Sequence, residues 1–347
     1  MKASLLLKPG KIAPYEEVPT PSPGRGEMLV RVKAALTCGT DLKAFTRGHP
    51  MIPMPGPFGH EFSGVVEEVG KGVRKFRKGD PVMSVHSAPC LRCAPCKKGL
   101  HNLCQNIMST KVLGAYAEFV LLPEHVVKQN AYKKPAALSF EEAALLEPLS
   151  CVIHGLSPLG IKKGDSCLVI GAGPIGLMHV MLLSAAGVVV AVADPHEGRL
   201  RKARTLGARK CIKVTKDRQR DALRIRRACS TITGGLGLDH VFECTGRPEA
   251  WEASVDHLRP GGTATLFGGC PSGTAACFDT HRLHYDEITL RGVFHFTPAD
   301  VKRAYGLLKG GKLQLKELIS GSYPLRDMQK AFSRLREGRG VKYAIIP

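Results

Sequence analysis

The sequence predicts an α/β fold, with an open, doubly wound parallel sheet in the second half of the chain and a β-rich domain in the first. Three observations predict it. From about residue 156, short apolar runs alternate with stretches of helical length, the pattern of a parallel sheet with covering helices. The first half is instead strand-rich and punctuated by Gly and Pro. The chain has 347 residues, 44% of them hydrophobic. At about 150 residues per domain, that length favours two domains.

Taken in order, residues 28–35 (MLVRVKAA) read as a strand, 62–69 as a second, closed by Gly70-Lys-Gly72, and 81–85 as a third after the Lys78-Gly79-Asp80 turn. Ser166–Ile170 is a short apolar run entering a Gly-rich turn, 175–186 has helical length and composition, and 188–193 (VVVAVA) is a continuous apolar run of the buried parallel-strand kind. Together these form a βαβ unit. Further strands are expected at 238–244, 263–267 and 288–294, with a helix over 249–258. The tail carries helices at 299–309 and 325–335 and ends in a strand over 341–346. There is no internal repeat and no low-complexity tract.

The charged fraction is 23% and the mean hydropathy −0.05, which fits neither disorder nor a membrane protein. No apolar run approaches the ~18–20 residues needed to span a bilayer. The opening stretch breaks after Leu7, too short for the apolar segment of a secretory signal, so a soluble cytoplasmic protein with no membrane partner is expected. Lys and Arg number 50 against 30 acids, a net charge of +20. Half of that excess lies between His196 and Cys229, where thirteen basic residues, Lys216 among them, face three acids. A solvated helix face accounts for such a run. One Trp and seven Tyr in the whole chain leave it without the aromatic interleaving of a single-strand binder, so no nucleic-acid partner is expected.

Of twelve cysteines, four crowd into fifteen positions as C-x2-C-x2-C-x7-C: Cys90, Cys93, Cys96 and Cys104. The rest are scattered, several inside apolar runs, where a reduced Cys behaves as a small hydrophobe. Such clustering points to metal in a reducing compartment. Four thiolates close a tetrahedral cage with no open position, which is a structural zinc site. Ferredoxin-like iron–sulfur motifs also begin C-x2-C-x2-C, but they continue x3-C-P, and here the gap is seven and Gln105 follows.

Gly171-Ala-Gly173-Pro-Ile-Gly176 follows directly on the Ser166–Ile170 strand and opens a helix. In that context it is a dinucleotide fingerprint. The first glycine permits the tight turn, the second lets the backbone approach the pyrophosphate, and the third lets the helix pack on the sheet. The helix N-terminus offers free N–H groups to the phosphates. Asp194, eighteen positions after Gly176, stands where a carboxylate accepts the adenosine ribose hydroxyls and repels a 2′-phosphate, which predicts NAD over NADP. Arg199, Arg201 and Lys202 pull the other way.

A second metal constellation is dispersed: Cys38 in Thr37-Cys-Gly-Thr-Asp41, His60 and Glu61 in Gly59-His-Glu-Phe-Ser-Gly64, and Glu147 in Leu146-Glu-Pro-Leu149. Thiolate, imidazole and carboxylate together suit zinc with one position left for substrate. Spacing alone does not assemble them; each is also readable as a buried thiol, a core histidine or a helix-end acid.

In this order, the Cys38 motif, the His60-Glu61 motif with Gly70, the cysteine lobe, Glu147-Pro-Leu149 and the 171–176 fingerprint resemble the zinc-dependent medium-chain alcohol dehydrogenase family, in its sorbitol, polyol and threonine dehydrogenase branch. The resemblance covers essentially the whole chain. It implies a GroES-like catalytic domain over 1–155, with its zinc lobe at 86–106, a Rossmann domain over 156–290, and a return to the catalytic domain over 291–347. It implies two zinc ions per chain, one structural and one catalytic, the latter on Cys38, His60 and either Glu61 or Glu147, with Asp41 orienting His60. Dinucleotide contacts are implied for Gly171, Gly173, Pro174, Ile175, Gly176, Asp194, Arg199 and Thr245, and further ones near Gly246, 267–269 and Val293-Phe294. The implied reaction is hydride transfer from a secondary alcohol of a polyol, sugar or sugar phosphate to NAD, with zinc polarising the hydroxyl and Thr40 passing its proton outward. Threonine or a simple alcohol is the alternative substrate, and a homodimer or homotetramer the implied assembly. Relatives carry a His five positions after the cysteine ligand; here that position is Lys43, which with Arg47 and His49 gives a basic entrance suited to an anionic polyol.

Overall fold

The structure, a computed structural model, describes residues 1–215 and 217–347; Lys216 of the basic stretch lies outside them. The chain divides into two compact units, Met1–Ile153 with His295–Pro347, and His154–Phe294.

In the first unit a seven-stranded sheet runs in the order Ile319–Pro324, Lys342–Ile346, Met28–Leu36, Glu61–Val69, Pro81–Ser84 and Ala131–Lys133, with Phe119–Leu122 also paired to Met28–Leu36. The C-terminal strand thus lies antiparallel beside Met28–Leu36, with Ala344 opposite Leu36, while on the other side Leu36 lies opposite Glu61. This register brings the tail of the chain to the ends of two early strands. A smaller sheet joins Lys11–Glu17, Lys2–Lys8 and Gly56–Pro57. The opening apolar stretch, considered from the sequence only as a leader, is therefore a strand with Leu6 fully buried. Phe332, from the helix Met328–Arg336, packs 5.5 Å from Phe45 and 5.7 Å from Phe58, and so ties the tail into the core. Burying a side chain of this kind stabilises by about 1.5–3 kcal/mol.

The second unit holds a six-stranded sheet, all parallel, ordered Lys210–Lys213, Val189–Asp194, Ser166–Ile170, Leu238–Glu243, Leu258–Leu266 and Thr289–Gly292. The central strands are almost wholly buried, which is why they read as apolar runs without alternation. Two expectations are corrected here. The strand expected at 263–267 begins at Leu258, so the helix expected over 249–258 ends at Ser254 and continues only as the 3-10 turn Val255–His257. The basic stretch contains two helices, Glu197–Thr205 and Arg218–Thr233, around the strand Lys210–Lys213. Each helix buries few residues, Leu200 and Ala203 on one, Asp221, Ile225 and Cys229 on the other, and leaves its basic side chains largely at the surface, as a solvated face requires. Among the described residues, no helix is long and apolar enough to cross a membrane, and no two cysteines are joined in a disulfide.

Candidate functional site

Cys38 stands where the strand Met28–Leu36 gives way to the helix Gly39–Arg47. As N-cap it has extended backbone, and its Sγ accepts the Thr40 backbone N–H at 3.4 Å. His60 and Glu61 are aimed by the turn before the strand Glu61–Val69. Gly59 sits at φ +85°, and a Cβ there would lie 2.6 Å from the Tyr116 ring, so only glycine fits. The result is that one sulfur of Cys38, one ring nitrogen of His60 and one carboxylate oxygen of Glu61 lie within 4.8 Å of one another. One soft sulfur, one imidazole and one carboxylate fit zinc with a coordination position left open.

The surroundings fix each donor. Asp41 is fully buried; its Oδ1 lies 3.5 Å from His60 Nδ1, and its Oδ2 accepts the Tyr116 hydroxyl at 2.8 Å. Burial works against a charged His60, but the Asp41 carboxylate and Cys38 together hold its pKa well above the usual range. Glu61 is held by Lys342, itself buried, whose Nζ donates to Glu61 Oε1 at 2.7 Å and to the Thr37 carbonyl at 2.7 Å. Burial raises the pKa of Glu61, partly offset by the Lys342 charge. Burial opposes the ammonium of Lys342, and Glu61 outweighs it, raising its pKa.

Glu147, on the first turn of the helix Leu146–Leu156, is buried but outside this group of three donors. Its Oε1 accepts the Cys151 thiol at 3.7 Å and lies 3.4 Å from His86 Nδ1, and burial pushes its pKa up to about 7. Of the two glutamates left open by the sequence, Glu61 is the one in the group. Thr40 is half-buried beside Cys38. Burial, followed by the charges of Lys43 and Arg47, lowers the pKa of His49.

Sequence reasoning missed Tyr116, Lys342, His86 and His295. His86 is buried, with ring centroids 4.9 Å from His60 and 5.2 Å from His295, and His295 Nε2 lies 2.6 Å from Ser87 Oγ. His295 also has φ +63°, an uncommon backbone state outside glycine.

Cys90, Cys93, Cys96 and Cys104 also lie within 4.8 Å of one another, a closed four-thiolate set that fits structural zinc. Cys93 and Cys104 flank the short helix Ala94–Lys97 and a 3-10 turn, and the Cys90 backbone N–H donates to Cys104 Sγ at 3.3 Å. Backbone N–H groups of Arg92 and Cys93 pull the Cys90 thiol down to about 6, while burial pushes Cys96 up to about 12.

In the other unit, the 171–176 turn divides its glycines by role. Gly171 is at φ +98°, and a Cβ there would meet Thr245 Cγ2 at 2.7 Å; at Gly176 a Cβ would meet the Gly171 carbonyl at 1.9 Å. Gly173 faces open space, which leaves its backbone approachable. It caps the twelve-residue helix Pro174–Ala185, with Pro174 in the first turn and Ile175 half-buried behind it. Asp194, at the end of its strand, is buried; its Oδ2 accepts the Ala172 N–H at 2.8 Å. Arg199 is half-buried on the next helix. Glu243, another residue the sequence did not single out, is fully buried and accepts the backbone N–H groups of Thr245 and Gly246 at 2.6 and 3.1 Å, which shapes the Thr245-Gly246 turn.

Residues 24–133 match the family model described as alcohol dehydrogenase GroES-like domain, and residues 174–310 the one described as zinc-binding dehydrogenase. An L-threonine 3-dehydrogenase of Bacillus velezensis is 33% identical over 342 residues, covering 96% of this chain and 95% of its own. A sorbitol dehydrogenase of Halalkalibacterium halodurans is 31% identical over 337 residues, again covering 96% and 95%. Among solved structures, the 2R,3R-butanediol dehydrogenase of Bacillus subtilis has a TM-score of 0.83 at 26% identity, covering 100% of this chain and 99% of that one.

Proposed function

This chain belongs to the zinc-dependent medium-chain alcohol dehydrogenase family, and we propose that it oxidises a secondary alcohol of a polyol, sugar or sugar phosphate, reversibly, with NAD as hydride acceptor. The observation that carries this reading is the Cys38–His60–Glu61 donor group, in a chain that also holds a complete dinucleotide turn. On this reading the unit containing Cys38 is catalytic and the unit His154–Phe294 binds the dinucleotide. Zinc, when bound, supplies Lewis acidity toward the substrate hydroxyl. Cys38, His60 and Glu61 hold it there, and Asp41 fixes the His60 ring through Nδ1. Thr40 carries the hydroxyl proton away from the site. Lys43 and Arg47 favour an alcohol that bears an anionic group, such as a phosphate. Arg199 and Thr245 complete the dinucleotide contacts.

The reduced cysteines fit a cytoplasmic enzyme. The strand Thr289–Gly292, at the edge of the parallel sheet, suits a homodimer or homotetramer. Threonine is the second reading, favoured by the 33% identical relative. The test is NAD reduction by the zinc-loaded protein across polyols, sugars, sugar phosphates, threonine and simple secondary alcohols, with a chelator control. Chelator-sensitive turnover of a polyol or sugar is expected, and a phosphate requirement would give Lys43 and Arg47 their role. Turnover of threonine alone would replace the first reading by the second.

A further inference from the structure

Asp194 is the residue on which NAD selectivity ordinarily rests, since its carboxylate accepts the adenosine 2′- and 3′-hydroxyls and repels a 2′-phosphate. In this chain the carboxylate is already engaged by the protein. Oδ2 accepts the Ala172 N–H at 2.8 Å, and Oδ1 accepts both the His196 backbone N–H at 2.8 Å and the His196 Nδ1–H at 3.0 Å. A carboxylate offers about four lone-pair sites. Three are taken, which leaves roughly one for two ribose hydroxyls.

The charge around Asp194 is also basic. In the parallel register Asp194 pairs with Lys213, an exposed residue at the end of the edge strand. Arg199 follows on the helix Glu197–Thr205, and Glu197 is the one acid of that helix. The Asp194 side chain is 5% exposed and that of His196 44%, so the imidazole is the member of the pair that a ligand can reach.

We propose that His196 sets dinucleotide selectivity in this protein: by holding Asp194 Oδ1 it lets the site take a 2′-phosphorylated dinucleotide, NADP, alongside NAD. A 2′-phosphate carries about −1.5 to −2 charges at neutral pH and three strong acceptor oxygens. Against a bare carboxylate it is expelled. Against a carboxylate already holding three N–H donors, with Lys213 opposite it in the strand register, it is tolerated. Both hydrogen bonds from His196 are donated by N–H groups, so the arrangement holds for a neutral or a charged ring.

The inference rests on the dinucleotide reading of the 171–176 turn, and its test needs no alcohol substrate. Binding of NADH and NADPH is titrated on the purified zinc-loaded protein near neutral pH, by the fluorescence of the reduced nicotinamide. For the wild type, dissociation constants within about tenfold of each other are expected. His196→Ala frees one side of Asp194: NADPH binding is expected to weaken by about tenfold or more while NADH binding is unchanged or tighter. His196→Gln, which keeps an N–H donor on a longer side chain, is expected to restore most NADPH binding. A purely structural role for His196 at the start of its helix would weaken both nucleotides together. The proposal is overturned if the wild type binds NADH but not NADPH, or if the ratio of the two constants is the same in His196→Ala, and both results leave the NAD-dependent reading intact. Failure to bind NADH at all would remove both.

Discussion

The four-cysteine lobe and the Cys38–His60–Glu61 group lie in the same unit and are built in opposite ways. The lobe takes all its ligands from fifteen consecutive positions, and its thiols are tuned by local backbone N–H groups and by one another. The other group takes its donors from a helix cap and the start of a strand, and it is fixed by Asp41, by Tyr116 and by Lys342, whose partner Glu61 lies 281 positions away. A site that is to be closed can be made by a short piece of chain, because four thiolates saturate the metal. One that must keep a position open has fewer donors, and buried groups from the rest of the fold hold them in place.

The largest effect that would test this contrast is on turnover. Cys38→Ser or His60→Ala is expected to reduce alcohol oxidation to background while NADH binding and one zinc per chain survive, measured by nucleotide titration and metal analysis. Retained turnover would break the assignment of the open site. Cys93→Ser should act the other way round. Because zinc held by thiolates in a local fold is folding free energy, the variant is expected to lose several kcal/mol of stability and the other zinc, while the Cys38 site keeps its chemistry in the protein that remains folded. An unchanged Tm would show that the lobe is not stapled by metal.

Lys342→Met comes next. Removing one partner of a buried ion pair leaves an uncompensated charge and costs about 3–5 kcal/mol, whereas replacing both partners can be nearly neutral. Urea unfolding should therefore show Lys342→Met less stable than Lys342→Met combined with Glu61→Gln. If the double variant is the weaker of the two, Lys342 is not there to balance Glu61.

The same contrast decides what was legible in the sequence. The cysteine lobe and the 171–176 fingerprint are contiguous, and both were readable in full, down to the bounds of the strand Ser166–Ile170. Of the partners of the open site, Asp41 was reached only through the resemblance, and Tyr116 and Lys342 were not reached at all. Lys342 opens a strand that reads as an ordinary apolar tail, and nothing local says that its ammonium meets Glu61; only the pairing of Lys342–Ile346 with Met28–Leu36 does. The choice between Glu61 and Glu147 stayed open because the resemblance implies either one, and no local spacing separates them. The turn at Gly59 places His60 before the strand, and the side chains of His60 and Glu61 both reach Cys38. The basic run was read as a solvated helix face, but the bounds of the helix Arg218–Thr233 did not show, because only Asp221, Ile225 and Cys229 along its length are buried, a weak stripe among the arginines.

The smallest effect extends the comparison to buried histidines that carry an unpartnered ring nitrogen. His60 has Asp41 and His86 has Glu147 close by, but in the other unit His179 is held only through Nδ1, 2.9 Å from the Ile175 carbonyl, and leaves Nε2 unpartnered, while His257 leaves both ring nitrogens so, each ring buried. Burial lowers both to about 4. Their pKa in the fold is below that in the unfolded chain, so their contribution to stability is fully present above about pH 6.5 and is lost as the pH falls through about 4. The thermal stability of this unit should decline across that window. His179→Leu removes one of the two titrations together with the orphaned nitrogen, which sits against Phe242 and Phe267. It is expected to be neutral or mildly stabilising at pH 7 and to flatten the acid slope. A slope as steep as that of the wild type would mean that His179 does not stay neutral in the fold, and that a polar partner reaches Nε2 after all.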